Sequence, residues 1–445
     1  MFTIAVPEPI FKNANTSEDF SMNVAASDVA EVSTGPAQAP GTTDQFDIPG
    51  NLLEELALKL LFMAGQMSVL DLADRMAVCF PVANELFQRL RKEQLCDATG
   101  MLGNVYRIAI SSAGRARALE LLALNQYTGP APVSLDSYIR QARAQSVHTF
   151  EVHPYDLRRA FADLVLDEKT LYQLGTAINS GSSIFLYGPT GTGKTTIAET
   201  LARAFAEQHV WIPYAVEVDG QIITVYDPVI HKKAEQGHRD IDKRWVLCER
   251  PAVQVGGELT IDMLDLQFNP VTKFYAGPVQ MKANSGVLIV DDFGRQRLRP
   301  EELLNRWVVP LDRRIDFLTL SGGKKIEIPF ELVVVFATNI NPEALADEAF
   351  LRRLQTKIKI DAVSEEQFHE IFRRVCGKAG LQYTSEIVAQ VVDAICNKFK
   401  QPLRACYARD IVNQICWAAK YEGKPPEFEP ISIMRAVEGY FLPAR

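Results

Sequence analysis

Residues Gly188-Pro189-Thr190-Gly191-Thr192-Gly193-Lys194-Thr195 have the spacing G-x-x-x-x-G-K-[ST]. The chemistry this pattern offers is anion binding. Its glycines let the backbone curl so that successive N–H groups point inward at phosphate oxygens. Lys194 brings a cation to the β- and γ-phosphates of a nucleoside triphosphate, and Thr195 brings a hydroxyl to Mg²⁺. Ser183-Ile184-Phe185-Leu186-Tyr187 is a short apolar run suited to a buried strand. Thr196 to Ala206 has helical spacing, so a helix N-terminus would add its dipole at the same place. Gly188 through Thr196 are therefore the candidate nucleotide-binding residues, with ATP and Mg²⁺ as the expected ligands.

Two later runs offer complementary groups. Gly286-Val287-Leu288-Ile289-Val290-Asp291-Asp292 reads as a buried parallel strand, which puts Asp291 at its carboxyl end, where ligands bind in such sheets. Asp291 can hold Mg²⁺ through water beside Thr195. Asp292 can then face an attacking water as a base or orienting group. Leu332-Val333-Val334-Val335-Phe336-Ala337-Thr338-Asn339 is another buried strand. Its Asn339 either hydrogen-bonds the γ-phosphate or the water, or is a turn residue before Pro342.

The elements that must position these groups belong to an ordinary globular chain. Its 445 residues allow about three domains, and 47% hydrophobic with 23% charged residues is a soluble composition. No apolar run reaches the length of a membrane span, and the N-terminus lacks a basic region followed by a long apolar one. The cytoplasm is therefore the expected location, with no membrane partner. Net charge is −8, and most of it lies in the first 46 residues, where six acids face Lys12. The rest is close to balance and has no dominant basic footprint for nucleic acid. The seven cysteines form no C-x-x-C pair and read as reduced, mostly buried thiols. His231 and His238 near Cys248 read as partly exposed loop histidines rather than zinc ligands.

Composition divides the chain. Residues 1–46, rich in Ala, Ser, Thr, Pro and Asn, read as a disordered tail. Residues 47–130 read as one small domain: helices at 52–63, from Ser68 and at 82–92, two extended runs at 95–98 and 105–110, and a helix at 113–124. This order resembles a winged helix, whose third helix would carry Arg89, Arg91 and Lys92. Eight basic and eight acidic side chains in residues 51–130 leave little drive toward a phosphate backbone, so docking of a protein client is the favoured reading over DNA. Residues 131–150 hold a linker helix, 151–362 the nucleotide core, and 363–445 a helical lid opened by the capping box Ser364-x-x-Gln367.

Taken in order, the phosphate loop, the acidic strand, the strand ending in Asn339 and the pair Arg352-Arg353 resemble the AAA+ ATPases over residues 150–445. The resemblance implies an α/β fold with a parallel sheet, helices on both faces and a C-terminal helical lid. It implies ATP hydrolysis in a ring, expected to be a homohexamer, in which Arg352 or Arg353 reaches the neighbouring site as a trans arginine. Tyr407-Ala408-Arg409-Asp410-Ile411 resembles the start of the third lid helix and nominates Arg409 as the cis arginine, with Arg404 as competitor. The chain departs from the family at Asp292, where glutamate is usual, although replication-initiator members also carry Asp-Asp.

Residues 315–328 resemble the hairpin inserted before sensor 1 in MoxR-like ATPases, enhancer-binding activators and replicative helicases. At its tip, Lys324 and Lys325 either touch a substrate or lie in a solvated turn. Phe274-Tyr275-Ala276-Gly277 resembles a pore loop, but a packed strand end is the simpler reading. The function implied is an ATP-hydrolysing ring that remodels a macromolecular client. The alternatives are a nucleic-acid-directed ATPase and a nucleotide-gated switch with slow hydrolysis.

Overall fold

The computed structural model of the chain describes residues 35–36, 38–149, 151–205, 208–235, 241–345 and 352–441. Five short apolar runs form its central sheet: β1 (Ile184–Tyr187), β2 (Ala252–Val255), β3 (Val287–Val290), β4 (Val333–Thr338) and β5 (Thr356–Lys359). Their spatial order is β2-β3-β4-β1-β5, and every neighbouring pair is parallel. Alternation along each strand feeds two cores. Ile184, Leu186, Val287, Ile289, Val333 and Val335 pack on one face with Leu174, Ile178, Ile197 and Leu201 from helices Glu168–Ser180 and Lys194–Ala204. Phe185, Leu288, Val290, Val334 and Phe336 pack on the other with Leu303, Leu304 and Trp307. Burial on both faces explains why these strands read as continuous apolar runs rather than alternating ones. Fully burying one such side chain contributes roughly 1.5–3 kcal/mol.

Four C-terminal helices, Glu365–Lys378, Ser385–Asp393, Ala405–Glu422 and Pro430–Tyr440, enclose a separate core around Phe368, Phe372, Ile411 and Val437. Ser364 and Gln367 form the expected reciprocal cap.

Near the N-terminus, helices Gly50–Ala64, Val69–Met76 and Phe80–Lys92 precede an antiparallel pair, Cys96–Leu102 and Val105–Ile110, and helix Ser112–Leu124. Ser68 and Asp71 cap the second helix reciprocally. A third short strand, Gln66–Ser68, pairs with Val105–Ile110. Three residues joining two helices carry too little pattern to be read as a strand. Helix Leu135–Ala144 occupies the expected linker.

On either side of β2, strands within residues 209–249 and 267–276 build a β-rich insert. Strands Ala215–Val218 and Gln221–Thr224 form the expected hairpin, with Asp219 at φ 50° and Gly220 at φ 76° in its turn. The hairpin Ile315–Thr319 with Lys325–Pro329 buries Leu318, Ile326 and Ile328 against this insert.

Several expectations are corrected. Residues 1–34 of the expected disordered tail lie outside the described residues, but Gln38–Phe46 is held in place. Gln38 bridges Ile241, Thr43 donates to Glu85 from its backbone N–H (3.0 Å) and its hydroxyl (2.6 Å), and Phe46 is buried. Those partners come from distant sequence, so composition could not reveal them. His231 is not partly exposed but buried. Its Nδ1 accepts from the Asp227 N–H and its Nε2 meets the Lys282 carbonyl, which fixes a neutral ring with the proton on Nε2. His238 lies outside the described residues.

Arg244 joins three distant segments. Its guanidinium binds Asp242 (2.7 Å), Asp47 (3.0 Å) and the Pro132 carbonyl (2.9 Å), and it lies over the Phe46 ring at 4.6 Å. Burial pushes the Asp47 carboxyl up, but the Arg244 charge and the Ser134 and Ser137 hydroxyls hold it well below the usual carboxylate range. Arg244→Met leaves Asp242 buried without its partner and is expected to cost about 3–5 kcal/mol in denaturant unfolding. A carboxylate whose folded pKa lies below its unfolded value stabilises fully above about pH 4, and that contribution fades as the pH falls through the folded value. Asp47→Asn should therefore lower the urea midpoint at pH 7, and its gap to the parent chain should narrow on acidification.

Candidate nucleotide-binding site

The carboxyl ends of β1, β3, β4 and β5 open into one cavity of about 1060 Å³. Each strand delivers a different group there: Thr190 to Thr196 after β1, Asp291 and Asp292 after β3, Asn339 after β4, and Ile360 and Asp361 after β5. The sheet thus brings together the residues that the sequence nominated from separate motifs.

The loop takes its shape from positions that a side chain could not occupy. Gly188 has φ 142°, and a Cβ there would stand 2.1 Å from the Ile360 carbonyl oxygen. Gly191 has φ 77°, and a Cβ there would stand 2.5 Å from Cys406 Sγ. Gly193 (φ 96°) is the N-cap of helix Lys194–Ala204, so the free amides and positive dipole end of that helix face the cavity. Thr192 Oγ1 donates to the Pro189 carbonyl (3.0 Å) and braces the curl from within.

Lys194 donates to the Gly188 (2.9 Å) and Pro189 (2.6 Å) carbonyls, so its ammonium is already folded back over the loop. Burial lowers its pKa, the Asp291 and Asp292 charges oppose that shift, and the Arg404 charge adds to it. Thr195 Oγ1 donates to Asp291 Oδ1 at 3.1 Å. A hydroxyl and a carboxylate in contact are hard oxygen donors of the kind that hold Mg²⁺. Asp291 also accepts from Gln254 Nε2 at 3.2 Å and from the Asp292 N–H at 2.9 Å. Asp292 has φ 48°, a left-handed backbone that costs a non-glycine residue roughly 1–2 kcal/mol. The turn is stitched in place: Phe293 N–H donates to the Ala337 carbonyl (2.8 Å), and Gln296 Nε2 donates to the Asp291 carbonyl (2.8 Å).

The lid touches the loop directly. The Cys406 N–H donates to the Gly191 carbonyl (3.1 Å), and Arg404 Nη1 donates to Thr190 Oγ1 (3.3 Å). Arg409 lines the cavity but is mostly exposed and paired with Asp410 at 3.2 Å, so both lid arginines flank the site and Arg404 is the one on the loop. Arg352 and Arg353 are not brought into the cavity. Arg352 is exposed, and Arg353 pairs with Asp312 (3.0 Å).

The residues considered for client contact are partly engaged elsewhere. Arg89, on the third helix, pairs with Glu54 (3.1 Å) and Glu85 (2.7 Å). Arg91 and Lys92 are exposed. Lys324 forms an ion pair with Asp219 of the insert hairpin, so it is not a free tip lysine, whereas Lys325 is exposed. Tyr275 is buried, and its hydroxyl is bonded to Ser321, as a packed strand end should be.

Gln254, Gln296 and Thr338 were missed from sequence. The signal for Gln254 was present: Val253 and Val255 face inward in β2, so Gln254 alternates outward beside Asp291. Gln296 lies in a loop without periodicity, and nothing in the sequence marked it.

A family model described as a domain of unknown function (DUF8689) matches residues 364–439, the helical unit. Among solved structures, NtrX from Brucella abortus in complex with ATP is 15% identical with a TM-score of 0.38, covering 67% of this chain and 60% of its own. The RuvB Holliday junction branch migration motor of Thermotoga maritima is 13% identical with a TM-score of 0.34, covering 69% of this chain and 72% of its own. Domain III of the Thermotoga maritima replication initiation protein DnaA is 12% identical with a TM-score of 0.36, covering 64% of this chain and 97% of its own. Among the described residues, no helix is long and apolar enough to cross a membrane.

The loop geometry has a direct test. Gly188→Ala should lower stability by at least about 2 kcal/mol, because a backbone carbonyl blocks its Cβ. Gly193→Ala carries strain alone, since nothing lies within 4 Å of its Cβ. Thermal unfolding of the two variants should show the larger loss for Gly188→Ala.

Proposed function

We propose that this chain is an AAA+-type ATPase that binds ATP with Mg²⁺, hydrolyses it, and works as a ring of identical subunits on a protein client. The observation that carries this reading is the Thr195–Asp291 contact at 3.1 Å, set between a phosphate loop and the carboxyl ends of a parallel sheet. The loop amides and the helix N-terminus hold the phosphates. Lys194 neutralises charge on the outer phosphates. Thr195 and Asp291 would hold Mg²⁺, which supplies charge neutralisation on the triphosphate when bound. Asp292 orients the attacking water and accepts its proton, and Asn339 fixes the water or the γ-phosphate. From the lid, Arg404 or Arg409 meets the triphosphate in cis.

Arg352 and Arg353 stand outside their own cavity, where a neighbouring subunit could receive one of them, and that arrangement supports the ring. The internal pairing of Arg89 and of Lys324 weighs toward a protein client rather than a nucleic acid, with the N-terminal winged-helix-like unit as the docking part. A second reading, a nucleotide-gated switch with slow turnover, is favoured by Asp292 alone. Its carboxylate is one methylene shorter than glutamate.

Phosphate release from ATP tests the reading. Lys194→Ala should abolish ATP binding. Asp292→Asn should retain binding and lose turnover by about a hundredfold or more. Arg352→Ala or Arg353→Ala should lower turnover of the assembled protein by about a thousandfold or more at whichever is the trans arginine. A protein that stays monomeric with ATP and keeps its turnover in both arginine variants would remove the ring from the proposal. If Asp292→Glu raises turnover, the switch reading is preferred.

A further inference from the structure

Asp292 has a left-handed backbone, and the contacts that enforce it come from outside the acidic pair. Thr338 is fully buried at the end of β4, and its Oγ1 donates to the Phe293 carbonyl at 2.6 Å. The same hydroxyl accepts from the Ile340 N–H at 3.1 Å, so it sits between the turn carrying Asp292 and the strand end carrying Asn339. Gln296 closes the turn from the other side. Its Nε2 donates to the Asp291 carbonyl (2.8 Å), and its Oε1 accepts from the Gly294 N–H (2.8 Å). The Arg295 N–H completes the turn on the Asp292 carbonyl at 2.9 Å. The carbonyls of Asp291 and Phe293, the residues on either side of Asp292, are therefore each held by a side chain.

We propose that Thr338 and Gln296 are positioning residues for hydrolysis: they set the direction of the Asp292 carboxylate and lock it to the frame that carries Asn339. Thr338 lies at the cavity wall, but its hydroxyl is committed to these backbone bonds, and Gln296 does not line the cavity; both act through the backbone of residues 291–293. Because an aspartate has less reach than a glutamate, its carboxylate depends more on where its backbone is placed. The proposal rests on ATP hydrolysis at this site.

The experiment measures kcat, KM and ATP affinity for the full chain and for Thr338→Val, Thr338→Ser, Gln296→Ala and Gln296→Glu. Valine keeps the shape of threonine and removes the hydroxyl. Thr338→Val should lower kcat between tenfold and a hundredfold, the loss that a misplacement of about an ångström produces. Its ATP affinity should stay within about threefold, since phosphate binding rests on the loop and not on this turn. Thr338→Ser restores the donor and should restore kcat. Gln296 lies on a partly exposed loop, so its variants should fold even if Thr338→Val does not. Gln296→Glu keeps the acceptor for Gly294 but places a carboxylate against the Asp291 carbonyl, so it should lose as much kcat as Gln296→Ala. Equal kcat in Thr338→Val and the parent chain, or a loss that Thr338→Ser does not restore, overturns the Thr338 assignment. A Gln296→Ala variant with parental kcat overturns that of Gln296. A parent chain that binds ATP and releases no phosphate overturns the ATPase reading itself, and this proposal falls with it.

Discussion

A loop that turns its amides toward an anion has no room for side chains on its inner curve, and the rest of this structure is arranged around that constraint. At Gly188 the space a methyl group would need is taken by the Ile360 carbonyl, and at Gly191 by the Cys406 thiol. The loop is thus clasped between the end of β5 on one side and the lid on the other. Its two neighbours could not approach so closely around any other residue. The inward-facing amides, the folded-back Lys194 and the Thr195–Asp291 contact all follow from that curl.

Much of this was legible in the sequence, for reasons that can be named. The strands of the parallel sheet are short continuous apolar runs because both their faces are covered, and β1, β3 and β4 read directly. The reciprocal caps at Ser68 and Ser364 are local, with both partners within three residues. The turn at Asp219-Gly220 is likewise written in its own two residues. The candidate site gathered because the carboxyl end of a parallel strand has a fixed meaning.

What could not be read were pairings between distant residues. Arg244 holds Asp47 across nearly two hundred positions, and Thr43 reaches Glu85 on another element. Composition made the stretch around Thr43 and Phe46 look unstructured because its order is borrowed from those partners. Lys324 looked free at a glycine-rich tip, and its partner Asp219 lies on a different hairpin. His231 is the same lesson in a buried setting: its two ring nitrogens are satisfied by backbone groups that no motif records. Residue type told what each group can do, and only the fold told whether it was already occupied.

The contact between the Cys406 amide and the Gly191 carbonyl has a mechanical meaning. Helix Ala405–Glu422 is 18 residues long, and its first turn is fastened to the loop that would grip phosphate. The loop and the helix are therefore coupled through a backbone hydrogen bond. From that anchored end the helix runs outward to Trp417 and Tyr421, which stand in solvent.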